Sequence, residues 1–209
     1  MIEKLASQLG RKDQEPNIQL AQALSQSEDA NGIQEIVQGL LGKNKSIAGD
    51  CIKVLYELGE RKPRLVSPYV DDFIALLRSK NNRLVWGAMT ALASIAEVVP
   101  DEIFRNLDPV ITAFHNGSAI TVDNGVLVLA KVCKANPAYE KHLMPVLLEH
   151  LRECKPSEVA RHAEGMAVCI NSENVGAFIA VLEARKGHLT GSPSNRLRRL
   201  EGKLLRQFK

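Results

Sequence analysis

The sequence predicts an all-helical solenoid with capping helices at both ends. Three observations predict it. A single offset of 37 residues aligns apolar columns in four consecutive copies without a gap. Within each copy the columns fall three or four residues apart, the spacing of one helical face. Helix-capping residues and prolines recur at the same offset.

The first half of each copy is an amphipathic helix, A. Its columns are Ile33/Val70/Leu107/Met144, Ile36/Phe73/Val110/Leu147 and Leu40/Leu77/Phe114/Leu151. The second half is helix B. Its columns are Ala48/Val85/Val122/Val159, Ile52/Met89/Val126/Ala163, Leu55/Leu92/Leu129/Met166 and Leu58/Ile95/Val132/Cys169. Asn44, Asn81 and Ser118 stand at the A-to-B turn as N-caps, where a side-chain oxygen takes up an otherwise orphaned amide. Pro63, Pro100 and Pro137 stand at the B-to-A turn, where the missing N–H ends a helix.

Both ends depart from this register. Residues 1–29 form a partial unit, with Ile18, Ala21 and Leu24 as its apolar stripe after Pro16. Residues 30–173 hold the four copies in register. Over 174–209 a further A-like helix spans about 174–185, with Phe178, Val181 and Leu182 facing inward. A last helix opens at Ser192-Pro193, with Leu197, Leu200, Leu204 and Phe208 as its stripe. A helix pair of this length cannot bury its apolar faces alone, so the copies must stack into one continuous core.

The pattern over residues 30–173 resembles the HEAT-repeat family, whose repeats are helix pairs joined by short turns. The resemblance implies a right-handed α-solenoid of antiparallel pairs forming one domain over 1–209. It also implies that the B helices line a concave surface. About function it says little, because one architecture serves many partners.

Composition agrees with a helical core. Hydrophobic residues are 45% and aromatic residues only 4%, with one Trp, so Leu, Ile, Val and Ala must fill the interior. No apolar run approaches the roughly 20 residues of a membrane span. The N-terminus lacks the apolar segment of a signal peptide, so the expected compartment is the cytoplasm. Cys51, Cys133, Cys154 and Cys169 have no Cys-x-x-Cys spacing and are expected to be reduced core residues. The net charge is +3, unevenly spread. Residues 185–209 carry 8 basic and 1 acidic residue, and the remainder carries 19 basic and 23 acidic. A nucleic-acid-binding domain is expected to be basic throughout.

Removing core and neighbour-contact columns leaves a narrow stripe on each B helix. The flanking columns Tyr56/Ala93/Ala130/Ala167 and Val54/Ala91/Val128/Gly165 are small or apolar and suit close helix approach. The stripe reads Asp50, Lys53 and Glu57, then Gly87, Thr90 and Ser94, then Asn124, Leu127 and Lys131, then Arg161, Glu164 and Val168. It is mixed in charge and poor in rings. Backbone-gripping nucleic-acid binders need clustered Lys and Arg, and single-strand binders add stacking rings. A protein or peptide partner suits the stripe better, and a solvated face without a partner is the plainer alternative.

Trp86 stands at the border of this stripe, in the column Gly49/Trp86/Asp123/Ala160, with Arg83 one turn before it. An aromatic beside charged groups suits an interaction anchor. The plainer reading is that Trp86 covers a gap left by Gly87, Ala88 and Gly125. The expected partner-binding set is therefore Arg83, Trp86, Thr90, Asp123, Asn124, Leu127, Arg161 and Glu164. His162 stands in an otherwise small column, Cys51/Ala88/Gly125/His162, and its ring needs a partner such as Glu158 at i−4 or a main-chain carbonyl.

Catalytic signatures are lacking. There is no Gly-x-Ser-x-Gly elbow and no phosphate-cradling glycine loop. Asp123-Asn124-Gly125-Val126 lies inside a repeat helix. His150 and Cys154 at i, i+4 are a two-ligand start for zinc, but no second pair at ligand spacing completes them, so no metal site and no cofactor are expected. Asp123, His162 and Glu164 are too scattered to count as one. No His-Glu dipeptide occurs, which argues against the HEAT-fold di-iron hydroxylases. HEAT-like DNA-binding proteins and alkyl-base DNA glycosylases are the rival reading, since they set a carboxylate and aromatics in a basic groove. Asp123 near Trp86 is a loose parallel. The last helix carries Arg196, Arg199, Lys203 and Arg206 opposite its apolar stripe. It is expected to be a cap, with binding to an anionic surface as the alternative. The expectation is a non-catalytic scaffold, with partner identity, oligomeric state and curvature left open.

Overall fold

Thirteen α-helices form in the computed structural model, which describes residues 1–187 and 189–208. After a 3₁₀ turn at Ile2–Lys4, helix α1 spans Glu15–Ser27, α2 Ala30–Leu40 and α3 Lys45–Arg61. Then come α4 (Pro63–Val66), a 3₁₀ turn at Ser67–Tyr69, α5 (Val70–Leu76), α6 (Asn82–Ile95), α7 (Pro100–Arg105), α8 (Leu107–Asn116) and α9 (Ala119–Ala135). A 3₁₀ turn at Pro137–Tyr139 leads to α10 (Glu140–Glu153), α11 (Pro156–Met166), α12 (Val175–Lys186) and α13 (Ser192–Gln207). The fold is an all-α solenoid. No helix among the described residues is long and apolar enough to cross a membrane.

The repeat columns are the core. All seven are buried in all four copies, except that Leu107 and Val122 are half-buried. Each large apolar side chain taken fully from water contributes about 1.5–3 kcal/mol, so this layered interior is the main stabilising term. The cap residues act as expected at two turns. Asn44 Oδ1 accepts from the amides of Ser46 and Ile47, and Asn81 Oδ1 accepts from Arg83. At the third turn the Ser118 hydroxyl lies 3.0 Å from the Thr121 hydroxyl, and Thr121 is fully buried.

The prolines do more than end helices. Pro63 and Pro100 take the first position of α4 and α7, and Pro137 opens the third 3₁₀ turn. At a first helical position the missing N–H costs nothing, and the fixed φ suits a helix. In the second and third copies the A segment is thus divided into a short leading helix and a main one. The second copy breaks at Ser67–Tyr69 and the third at Asn106.

The chain forms two compact units, residues 1–128 and 129–209, with the division inside α9. In the first, α3 packs against α1, α2 and α6. Close approach is written into small residues. A Cβ on Gly87 would meet Ile52 at 2.7 Å, and one on Gly125 would meet Phe114 at 2.6 Å. In the second unit α10 packs on α12, and α11 and α12 pack on α13. The four cysteines are free and buried, and burial pushes the Cys51 thiol up to about 12.

The N-terminal segment is held by a polar network rather than by apolar contact alone. Asp50, only 3% exposed, accepts the Ser7 amide on Oδ2 (2.8 Å) and the Arg83 guanidinium on Oδ1 (3.1 Å). Arg83 also donates to Gln14 Oε1, which accepts from Asn17 Nδ2. The fully buried Asn17 accepts the Ala6 amide. Leu5 and Ala6 are thereby fixed in the interior. Gly49 makes room for this arrangement, since a Cβ there would meet Arg83 Cζ at 2.9 Å. Replacing Asp50 by Ala strands a buried amide and a guanidinium. Because Arg83 is partly exposed, the expected cost is about 2–3 kcal/mol in urea unfolding, with faster hydrogen exchange at the Ser7 amide. Unchanged stability and an equally protected Ser7 amide would show that the network holds nothing.

Candidate functional site

In the first unit the face of α3 and α6 carries an aromatic pair. The rings of Tyr56 and Trp86 lie 6.0 Å apart at 53°, a tilted arrangement favourable to their quadrupoles. Both side chains are half-buried. Lys53 Nζ sits 4.7 Å from the centre of the Tyr56 ring and 2.6 Å from Glu57 Oε1. Arg61 completes the cluster on Glu57 Oε2 at 2.8 Å. Burial opposes the charge on Lys53, but the Glu57 carboxylate and the Tyr56 hydroxyl outweigh it, and the ammonium's pKa is raised. Burial likewise opposes the charge on Glu57, but Lys53 and Arg61 outweigh it, and its pKa is lowered.

The space over Gly87 belongs to Ile52 and that over Gly125 to Phe114. Trp86 meets Tyr56 instead. Tyr56 shares its repeat column with three alanines, and the signal that sets it apart is its hydroxyl, which needs a polar surrounding.

Other positions of the expected stripe are used inside the fold. Asp50 and Gly87 are buried, not exposed. Arg83 turns to Asp50 and Gln14 and so serves the N-terminal network. Thr90 donates its hydroxyl to the Trp86 carbonyl, and Asn124 donates to the Ile120 carbonyl, each on its own helix. Asp123 and Leu127 are half-buried.

Arg161 and Glu164 belong to the second unit, and both are exposed. Glu164 is held in a two-pronged ion pair by Arg196 of α13 through Nε and Nη2. That pair and the buried Leu197 and Leu204 seat α13 on its neighbours. Leu200 and Phe208 are half-buried. Of the basic set, Arg196 is engaged, while Arg199, Lys203 and Arg206 remain exposed.

The second unit also brings together side chains that the sequence left apart. His162 Nδ1 lies 3.0 Å from His150 Nε2. With Cys154 Sγ, the three potential ligand atoms lie within 4.8 Å of one another. Sequence spacing cannot register a third potential ligand supplied by the following helix.

No family model and no curated protein matches the chain. Solved structures do match. A designed armadillo repeat protein in complex with the peptide (KR)4 is 14% identical, with a TM-score of 0.68 over 94% of this chain and 92% of that one. An engineered protein is 17% identical, with a TM-score of 0.69 over 99% and 96%. Computationally designed armadillo repeat proteins for modular peptide recognition are 14% identical, with a TM-score of 0.68 over 90% and 91%. Two of these are described as designed armadillo repeat proteins; at such identities the likeness shows the all-helical repeat solenoid fold alone and does not confirm the specific HEAT resemblance.

Glu57 gives a direct check on the charge cluster beside the aromatic pair. Its folded pKa is depressed below the ordinary 4.5. The cluster's contribution is therefore fully present above the unfolded value and is lost as pH falls through the folded one. Glu57→Gln should cost about 1 kcal/mol at neutral pH, in the range of surface ion pairs. The gap from wild type in urea melts should close below pH 4.5. A gap independent of pH would mean that the carboxylate charge contributes nothing.

Proposed function

We propose that the chain is a non-catalytic scaffold that binds a protein or peptide partner on the exposed face of its B helices. The anchor is Trp86 with Tyr56. The observation that carries this reading is the half-buried aromatic pair on packed helices α3 and α6, with Lys53 paired to Glu57 beside it. Rigid aromatic anchors of this kind dominate binding energy at interfaces. Solved neighbours of the same fold support a peptide as occupant, since one holds (KR)4 and another was designed for modular peptide recognition.

The peptide favoured here is extended and carries Lys or Arg. Residues 1–128 hold 13 basic and 16 acidic residues, so the unit bearing the pair is net acidic. The face of an indole ring attracts a cation, worth about 0.5–1 kcal/mol at an exposed site. The face that we assign comprises Trp86, Thr90, Asp123, Asn124 and Leu127. Arg83, Arg161 and Glu164 drop out of its centre, the first because it serves the N-terminal network, the others because they lie in the second unit.

Selection from a randomised peptide library on the immobilised protein tests the proposal. Enrichment of Lys- or Arg-bearing sequences is expected. Trp86→Ala combined with Asp123→Ala should weaken the selected peptide by about tenfold or more, the scale of one lost anchor, with helicity kept at the assay temperature. Equal binding by the double variant would sink the assignment. Loss of binding in Arg199→Glu with Lys203→Glu, and not in the double variant, would move the site to the C-terminal helix.

A further inference from the structure

We propose that His150, Cys154 and His162 form a binding site for a borderline-soft divalent metal ion, zinc foremost, clamping α10 to α11. The three residues come from two successive helices. His150 and Cys154 lie one turn apart at the C-terminal end of α10, and His162 lies within α11. Cys154 and His162 are buried, and His150 is partly exposed, which leaves a route from solvent.

The donor set is the first argument. Two imidazoles and a thiol match zinc, cobalt, nickel or copper and do not suit magnesium or calcium, which take oxygen ligands. The geometry is the second. The two ring nitrogens face each other at 3.0 Å. In a tetrahedral site with metal–nitrogen bonds of about 2.0–2.1 Å, those nitrogens stand about 3.3 Å apart, so the imidazoles need move only slightly. The corresponding nitrogen–sulfur edge is about 3.6 Å with a metal–sulfur bond of about 2.3 Å, whereas the ligand atoms here lie within 4.8 Å. The sulfur closes that distance by turning from the Leu151 carbonyl, which it meets at a loose 3.8 Å.

Proton placement is the third argument. Without metal, one of the two facing nitrogens carries a hydrogen and the other accepts it. On binding, both present lone pairs to the ion. The imidazole protons then sit on His150 Nδ1 and His162 Nε2, and the Cys154 thiol releases its proton to solvent, since the thiolate is the ligand. Arg185 donates from Nη2 to the Cys154 carbonyl and from Nη1 to the Arg152 carbonyl, tying down the end of α10 that carries two of the ligands. Water fills the fourth position, the arrangement of three-ligand zinc sites.

Cobalt(II) titration of the reduced, chelator-treated full chain is the test, followed by displacement with zinc(II). One equivalent should bind. The tetrahedral visible bands should be accompanied by a thiolate-to-cobalt charge-transfer band. Cys154→Ser should abolish the charge-transfer band, and His162→Gln should weaken binding about tenfold or more, the scale of a damaged ligand set. Zinc should displace cobalt and raise the melting temperature of the wild type by mass action on the folded state. Circular dichroism establishes that each variant is folded; where it is not, His150→Gln, at the partly exposed position, stands in for His162→Gln, and Cys154→Ala stands in for Cys154→Ser. Absence of a charge-transfer band in the wild type would overturn the site, as would an undiminished band in Cys154→Ser. The site lies in the second unit, so its failure leaves the peptide-binding reading untouched.

Discussion

No 37-residue repeat in this chain can bury its own apolar faces, and everything else in the structure follows from that constraint. Each helix presents a stripe that only a neighbouring repeat can cover. Repetition of one spacing then fixes which positions face inward. Leu55, Leu92, Leu129 and Met166 are all fully buried for this single reason. The ends must be closed by something that is not a repeat. At the C-terminus α13 does so with Leu197 and Leu204 inward and its arginines outward. At the N-terminus the buried Leu5 and Ala6 do so, tied down by Asp50, Arg83 and Asn17.

The two caps use different physics. The C-terminal cap is an amphipathic helix with the Glu164–Arg196 pair near its start, where solvent screening makes an ion pair modest. The N-terminal cap relies on a carboxylate almost wholly removed from water, whose oxygens accept a main-chain amide and a guanidinium. A buried charge is tolerable only when so satisfied, and losing either partner is costly. Asp50 and Arg83 were legible in the sequence as polar residues on B helices, and their exposure was the natural expectation. What the sequence does not display is the segment from another part of the chain that covers them.

The repeat fold itself was legible because periodicity is a one-dimensional signal. Core columns, N-caps at Asn44 and Asn81, and prolines at helix starts all sit at fixed offsets. The division of the A segments was not legible, because Ser67-Pro68 and Asn106 interrupt the helix without disturbing the column spacing. Side-chain pairs between helices were the least legible. Trp86 stands out in the sequence as the one tryptophan, but its ring partner Tyr56 is hidden among alanines in its column. His150 and His162 each stood out, yet their separation of twelve residues carries no ligand-spacing signature. Residues on a scaffold are committed to packing first, so what remains free for binding shows only when those commitments are placed in space.

Trp86 is the only tryptophan in the chain, so its emission reports the proposed face without labelling. The decisive measurement is a fluorescence titration with a selected Lys- or Arg-bearing peptide, run beside calorimetry on the same samples. If the peptide lies against the Tyr56–Trp86 pair, the emission changes and saturates at the same concentration as the heat. Full binding by calorimetry with a silent Trp86 would contradict the account.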